Sequence, residues 1–404
     1  MNINQQVTYL MRGVEYGDPA MYEAMKKELR ERLIEAERLG RPLRVYCGYD
    51  PRTTDLHIGH TVTMRKLRQF QELGHQVVFV IGTYTALIGD PSDKDKLRPQ
   101  LTPEEAKINA ETYAEQAFRI LDREKTEIRY NAEWLSELTF KDLIHLASNF
   151  TLQQFLTREN FRNRWENEEA IYFHELFYAI MQGYDAYVLE ADVQVGGTDQ
   201  MFNIMTAARK IMTFYHAKPN IGIILPILPG TDGELKMSKS LGNHIPLNTT
   251  PEDMFGKVMS VPDSAMPSYA RLVTRWTVDK IEAFERAMAS GEVHPRDAKM
   301  ELAEEITAAF FDEEKAKQAR TYFINLFQKG DMPEDIPSFK PQGEPILLEV
   351  LVDSGLVNSK SQARRLIEQN GVKIDGEVAT DPYLLLAPGA VVQVGKRHFI
   401  RIVE

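Results

Sequence analysis

His57 and His60 stand three residues apart in the stretch YCGYDPRTTDLHIGH, residues 46–60. Imidazoles so placed at the start of a helix offer donors on one side to an anion. Around them, Arg44 to Cys47 reads as a short buried strand, Gly48 to Asp55 as a polar turn and Ile58 to Leu73 as a helix. Strand, Gly/Pro/Asp-rich turn and helix together make a site for a polyphosphate. The first helical turn has unpaired backbone N–H groups, and Gly59 lets a ligand lie close. A second charged stretch, KMSKS at Lys236 to Ser240, follows Gly230 and Gly233. Read alone it is a solvated loop. Lysines on a mobile loop can also close on a transition state, which gives more catalysis than fixed ground-state contacts.

Tyr178, Gln182 and Asp185 are spaced four and three apart within HELFYAIMQGYDAYVLE, residues 174–190, and so share one helix face. Phenol, amide and carboxylate on one face are hard to explain as packing. The run Gly196-Gly197-Thr198-Asp199-Gln200 opens another helix, with Thr198 or Asp199 suited to cap it.

The paired H-I-G-H and KMSKS signatures, in that order, resemble those of the class I aminoacyl-tRNA synthetases, and within them the tyrosyl-tRNA synthetases of the bacterial kind. The resemblance covers nearly the whole chain. It implies an enzyme that activates L-tyrosine with ATP, carrying Mg2+ with the nucleotide, and then charges tRNA(Tyr). It further implies that His57, His60, Lys236 and Lys239 serve the phosphates. Lys94 and Arg98 resemble a further mobile pair near the pyrophosphate, or else form a charged surface turn. Tyr46 and Asp185 would hold the phenol of tyrosine, and Asp90, Tyr178 and Gln182 its ammonium. Gln200 would contact the carboxylate or α-phosphate. Gly48, Asp50, Gly59, Gly197, Asp199, Met237 and Ser238 would surround ATP. In the same stretch, Gln194 and Gly196 occupy family positions. Paired polar groups around a phenol reject phenylalanine, because its ring would leave them buried and unpaired. A tryptophan-specific synthetase, a nucleotidyl transferase making another adenylate and a non-catalytic RNA-binding relative are the alternatives. One position departs from the family pattern. Arg52 follows Asp50-Pro51 where threonine is usual, with Thr53 and Thr54 next. We expect Arg52 to point outward and Thr53 to take the threonine role, so Thr53→Ala should slow activation.

These residues need a scaffold, and 404 residues are enough for two or three domains with a substantial core. Hydrophobic residues at 43% and charged residues at 26% describe an ordinary globular chain. No apolar run reaches the roughly 18 residues of a membrane span, and MNINQQVTYLMRG lacks the pattern of a secretory signal. A cytoplasmic protein is therefore expected. Cys47 is the one cysteine, which excludes an internal disulfide and a multi-thiolate zinc site. It reads as a small buried strand residue, and no dedicated protein metal site is expected.

Residues 15–39 carry apolar positions three and four apart, the mark of an amphipathic helix. The segments at 43–48, 76–82 and 222–228, with Glu127 to Tyr130 and Val193 to Val195, read as strands separated by helices. That alternation predicts an α/β fold: a doubly wound parallel-sheet nucleotide-binding core. Helices are expected at about 103–122 and over 139–165, with 83–99 a polar turn region. The domains expected are a catalytic core at 1–245, a helical domain at 246–328, a linker at 329–345 and a small α+β domain at 346–404.

The net charge of −11 points away from nucleic acid. Residues 346–404 are locally different, with seven basic and seven acidic side chains. Ser359 at a helix start, Arg364-Arg365 on that helix and Gly371-Val372-Lys373 leading into strands resemble the S4 RNA-binding domain. Lys360, Arg364, Arg365 and Lys373, with Lys396-Arg397, would be its phosphate-contacting patch. Family resemblance also implies a homodimer, with the seam near residues 140–175.

Overall fold

A computed structural model describes residues 1–51, 55–91, 103–326, 336–341, 343–357, 359–395 and 398–403. Residues 1–319 form one compact unit and residues 320–404 a second.

The first unit begins with helices α1 (Ile3–Met11) and α2 (Pro19–Leu39), then β1 (Arg44–Tyr49), α3 (Ile58–Glu72) and β2 (Gln76–Ile81). Next come α4 (Thr85–Ile88), α5 (Pro103–Ala117), β3 (Thr126–Tyr130) and α6 (Ala132–Leu135). Three short helices follow, α7 (Phe140–Ala147), α8 (Leu152–Phe155) and α9 (Glu159–Glu166), before α10 (Glu175–Val188) and β4 (Val193–Gly197). A wide helical turn over Asn203–Ala208 runs into α11 (Arg209–Phe214) and β5 (Ile221–Leu225). The rest is helical: α12 (Pro251–Met259), α13 (Met266–Val273), α14 (Val278–Ser290), α15 (Pro295–Phe310) and α16 (Glu313–Ile324), the last reaching into the second unit.

The five strands are all parallel in the order β3-β2-β1-β4-β5. Every residue of β5 is buried, and so are five of the six in β2, as strands covered on both faces require. Chain direction across the sheet reverses between β1 and β4, which pair through Val45 with Val193 and Tyr46 with Gln194. A crevice at such a switch point, beyond the carboxyl ends of the strands, is where open α/β sheets bind ligands. Asp192 pins this region from the opposite end. Its buried carboxylate takes Arg32 of α2 at 2.9 Å, Arg41 at 2.6 Å and the Arg44 backbone N–H at 2.9 Å. Those three donors hold its carboxyl below the ordinary range despite burial.

Several expectations change in detail. Asp18 caps α2, so that helix starts at Pro19 rather than near 15, and α1 precedes it. The helical stretch over 139–165 is three short pieces, because Thr139 and Thr151 each open a new capping box. The region 83–91 is not only turn, since α4 lies in it. Neither Thr198 nor Asp199 caps the turn after β4; its cap position is Gly197, with no side-chain bond.

The second unit has β6 (Ser338–Phe339), α17 (Leu347–Asp353), α18 (Lys360–Glu368), β7 (Val372–Ile374), β8 (Glu377–Val378), β9 (Val391–Val394) and β10 (His398–Ile402). Its sheet order is β6-β10-β9-β7-β8, and Leu347, Leu351, Ala363, Val372, Val392 and Ile400 belong to its own buried core. Ser359 caps α18 by accepting the Gln362 N–H at 3.2 Å, as its position in the sequence suggests.

Candidate active site

The two motif stretches meet. Ile58 N–H donates to Ile245 at 3.0 Å and Leu247 N–H to Leu56 at 2.9 Å, so the start of α3 is joined to the chain just after KMSKS. Gly59 is required here by close packing. A Cβ on it would lie 2.9 Å from His57 Nδ1 and 3.5 Å from Met237 Cβ. Met237 is 2% exposed, so its side chain contributes packing against α3, whatever its backbone offers a nucleotide. The loop is also tied internally. Asn243 accepts the Ser238 N–H at 2.8 Å and donates to Asp232 at 2.5 Å and to the Lys236 carbonyl at 3.2 Å. Gly230 makes room for that amide, since a Cβ would sit 2.3 Å from it.

The His57 and His60 rings lie tilted by 41° with centres 3.9 Å apart, and His60 Nδ1 accepts the His57 backbone N–H at 3.3 Å. Burial, with His60, His244 and Lys236 nearby, pushes the His57 imidazole down to about 2. It is therefore a neutral ring and acts as a hydrogen-bonding group, not a cation. Lys236 meets Asp199 at 3.1 Å and Lys239 meets Asp55 at 3.2 Å. Both pairs are half-exposed, and such pairs are weak enough for a polyphosphate to displace.

The carboxyl ends of β1 and β2 supply the next group. Asp50 accepts the Tyr178 phenol at 3.0 Å and the Thr85 hydroxyl at 2.7 Å. Gly82 is what allows this, since a Cβ there would be 2.0 Å from Asp50 Oδ1. Asp50, expected around ATP, thus braces Tyr178, expected at the ammonium. Gly48 at the end of β1 is exposed, and a Cβ would meet nothing within 4 Å, so space lies above it.

Asp185 is 4% exposed. Trp134 Nε1 donates to it at 2.7 Å and Asn131 Nδ2 at 3.3 Å. Burial raises its carboxyl to about 7, against the lowering by those two donors. Tyr46 is 1% exposed and donates to the Gln182 carbonyl at 3.3 Å. Burial, then the nearby Asp185 carboxyl, keep its phenol protonated. At the other end Gln200 Nε2 donates to Asp90 at 2.5 Å, while Asn203 donates to both Gln200 and Gln182 at 2.9 Å. Hydrogen bonds thus tie Asp185 to Tyr178 through Asn131, Thr85 and Asp50, and Gln182 to Asp90 through Asn203 and Gln200. Burial pushes the Cys47 thiol up to about 11, which leaves it inert.

Residues 37–328 match the model of the tRNA synthetases class I (W and Y), and residues 347–392 that of the S4 domain. The tyrosine–tRNA ligase of Moorella thermoacetica is 45% identical over 403 residues, covering 99% of this chain and 96% of that protein. The tyrosine–tRNA ligase of Thermotoga maritima is 46% identical, covering 94% of this chain and 96% of that protein. The chain belongs to the class I tyrosyl-tRNA synthetases. Tyrosyl-tRNA synthetase structures from Aspergillus nidulans mitochondria and from Archaeoglobus fulgidus, the latter complexed with L-tyrosine, share the fold. Their TM-scores are 0.64 and 0.61 at 21% and 22% identity, over 80% and 79% of this chain and 94% and 100% of theirs.

This synthetase is an enzyme, a tyrosine–tRNA ligase, and it activates tyrosine for transfer to tRNA(Tyr). The tryptophan-specific and non-catalytic alternatives fall away with relatives at 43–46% identity that are tyrosine–tRNA ligases over nearly the full chain.

Several residues of the synthetase's site carry no sequence signal of their own. Trp134, Asn131 and Thr85 form the support of Asp185 and Asp50, and Asn131 Nδ2 also donates to Thr85 at 3.0 Å. Arg158 is buried between the rings of Phe161 and Phe202, at 5.0 and 5.5 Å, with its guanidinium 3.9 Å from Asp90. Asn160 holds the adjacent Pro91 carbonyl at 2.6 Å. Arg158, three residues before Phe161, is thus the cation that approaches Asp90. Gln194 is turned away from this group and bonds Asn220 at 3.1 Å. Gly196 accommodates Ile204, which a Cβ would approach to 2.5 Å, and Gly197 accommodates Asp199 at 2.5 Å. Lys94, Arg98, Arg52, Thr53 and Thr54 lie outside the described residues, as do Lys396 and Arg397. On the S4 domain Lys360, Arg364, Arg365 and Lys373 are all exposed; Lys360 pairs with Glu349 at 2.7 Å and Arg364 donates to the Tyr383 hydroxyl at 3.2 Å.

Proposed function

We propose that L-tyrosine lies across the crevice with its phenol at Tyr46 and Asp185 and its ammonium at Asp90, Tyr178 and Gln182. The observation that carries this reading is the Asp185 carboxyl, buried yet pre-aimed by Trp134 and Asn131 beside Tyr46. A phenol supplies the hydrogen that this carboxyl accepts, and phenylalanine leaves it unpaired. ATP, as its Mg2+ complex, is the second substrate. Its phosphates meet the first turn of α3, His57 and His60, while Asp199 takes the ribose once Lys236 has moved to the phosphates. Gly48, Gly59 and Gly197 and the backbone of Met237 and Ser238 line its path.

The tyrosine carboxylate oxygen attacks the α-phosphorus, and the bond to the leaving pyrophosphate breaks. Lys236 and Lys239 stabilise the charge that gathers on the leaving group, with Lys94 and Arg98 as a further pair. Gln200 steers the carboxylate. A terminal hydroxyl of the tRNA adenosine then attacks the adenylate carbonyl and AMP leaves. Neutral His57 serves as a donor to phosphate, so positioning and charge stabilisation supply the catalysis.

The S4 patch of Lys360, Arg364, Arg365 and Lys373 contacts tRNA phosphates. The enzyme works as a homodimer. Phe140, Ile144, Leu152, Trp165 and Phe173 are exposed within 140–175, Phe140 by 78% and Phe173 by 73%, and exposed apolar groups of this kind favour a partner surface. We retain the subdivision of the first unit near residue 245 on the same footing.

Pyrophosphate exchange into ATP, run separately with tyrosine, phenylalanine and tryptophan, tests the pocket. Exchange with tyrosine alone is expected; equal exchange with phenylalanine would remove Tyr46 and Asp185 from the phenol.

A further inference from the structure

A cavity of about 740 Å3 lies between α1, α3 and residues 274–279, and none of the residues assigned to tyrosine or ATP lines it. From α3 it takes Arg65, Arg68, Gln69 and Glu72, which recur at helical spacing on one face. Four arginines, Arg12, Arg65, Arg68 and Arg275, stand against two acids, Glu72 and Asp279. Glu305 and Glu313, outside the lining, pair with Arg275, so the four arginines face four acids in all.

Three of the four arginines have partners. Arg12 donates to the Trp276 carbonyl at 2.5 Å, Arg68 pairs with Glu72 at 3.4 Å, and Arg275 pairs with Glu305 and Glu313 at 3.0 and 2.7 Å. Arg65 is different. Its guanidinium lies over the Phe310 ring at 5.1 Å, and its Nε and Nη2 are buried with no hydrogen-bond partner. Those two nitrogens form the edge of the guanidinium that meets a phosphate or carboxylate through two parallel bonds. One turn along, Gln69 Oε1 is likewise buried without a partner. A buried cation and a buried acceptor left so are costly, and a ligand that supplies both complements offsets the cost.

We propose that this cavity binds a mononucleotide, with its phosphate on the Nε/Nη2 edge of Arg65 and an N–H of its base on Gln69 Oε1. A phosphate monoester carries close to two negative charges at neutral pH and presents two anionic oxygens to that edge, which suits a guanidinium with two unpartnered nitrogens. Tyr9 and Trp276 offer aromatic surface to the base, and the volume falls within the roughly 300–1,000 Å3 of small-molecule sites. The Arg65 edge is covered by neighbouring atoms, so binding includes a rotamer change of that side chain. The site lies on the helix whose first turn holds His57 and His60, and it gives a nucleotide a second place of action on the enzyme.

The test is calorimetry on full-length enzyme saturated with a non-hydrolysable tyrosyl-adenylate analogue, whose own binding is measured first. Failure of the analogue to bind counts against the catalytic-site reading, in which case AMP is titrated into the free enzyme and the variants below decide. The filled enzyme is titrated with AMP, inorganic phosphate and adenosine. One AMP per chain is expected, with phosphate weaker and adenosine weaker still. Arg65→Met should lower AMP affinity roughly 10- to 100-fold, the worth of charge-assisted bonds. Gln69→Leu should weaken AMP and leave phosphate unchanged, which keeps the test open if Arg65→Met does not fold. No AMP binding to the filled enzyme at millimolar concentration, or undiminished binding by both variants, would overturn the proposal.

Discussion

Trp134 donates its indole N–H to Asp185 Oδ1 at 2.7 Å, across 51 residues of chain. The bond joins α6, just after β3, to the last turn of α10, and it fixes the direction of a carboxylate whose burial works against its charge. A buried acceptor aimed in advance discriminates better than a mobile one, because no reorganisation is left to the ligand. Asn131 adds the second donor and passes the connection on through Thr85 to Asp50 and Tyr178. Asp185 and Tyr178, proposed for the two ends of the tyrosine, are therefore joined by one set of hydrogen bonds.

Trp134→Phe keeps the ring and removes the donor. Loss of one bond to a buried carboxylate should cost about 1.5–3 kcal/mol, read as a fall in kcat/KM for tyrosine in pyrophosphate exchange. The indole N–H lowers the Asp185 value, so its loss should also move the acid limb of the kcat/KM profile upward from near 7. An unmoved limb would separate Asp185 from tyrosine recognition.

Stability carries the opposite sign at the same residue. The folded state raises the Asp185 carboxyl from the ordinary 3.8 to about 7. Its protonated form is thus favoured by folding, and stability declines as pH rises from about 4 through 7. Asp185→Asn removes that dependence. Its thermal midpoint relative to wild type should be higher at pH 8 than at pH 5, while exchange with tyrosine falls.

Gly82→Ala introduces a methyl 2.0 Å from Asp50 Oδ1 and 2.4 Å from Thr85 Oγ1. The Asp50–Thr85 pair has to open and Tyr178 loses its brace. Overpacking of this kind costs about 1–3 kcal/mol, measurable by urea unfolding, and KM for tyrosine should rise with it. A variant with unchanged stability and KM would show that the loop yields freely.

Lys236→Ala and Lys239→Ala break half-exposed pairs with Asp199 and Asp55, so each should change stability by less than about 1 kcal/mol. Loss of charge stabilisation should nevertheless slow adenylate formation roughly 100-fold, with tyrosine affinity retained. Single-turnover fluorescence separates the two effects.

Much of this was legible along the chain. The strands at 44–49, 76–81 and 221–225 are apolar runs of strand length bounded by turn formers, and α3 and α10 show helical spacing. Their alternation is enough to imply a parallel, doubly wound sheet, because such strands need crossovers of this length. The two signature stretches and the face of Tyr178, Gln182 and Asp185 were also local, since residues three and four apart on a helix are neighbours whatever the rest of the fold does. α1 was less visible, with three buried residues in nine and no pattern long enough to stand out.

Tertiary structure decided the partners. Gly59 is read from sequence as room for a ligand, yet it is also the seat of Met237, which comes from nearly 180 positions later. Asp50 is a turn residue in the sequence and a brace for Tyr178 in the fold. Trp134, Asn131 and Arg158 have no motif, because what they do depends on which carboxylate a distant segment brings within reach. Hydrogen bonds and burial act over a few ångströms of space and are indifferent to separation along the chain. Periodicity therefore reports the elements, and only their packing selects the contacts that aim the site.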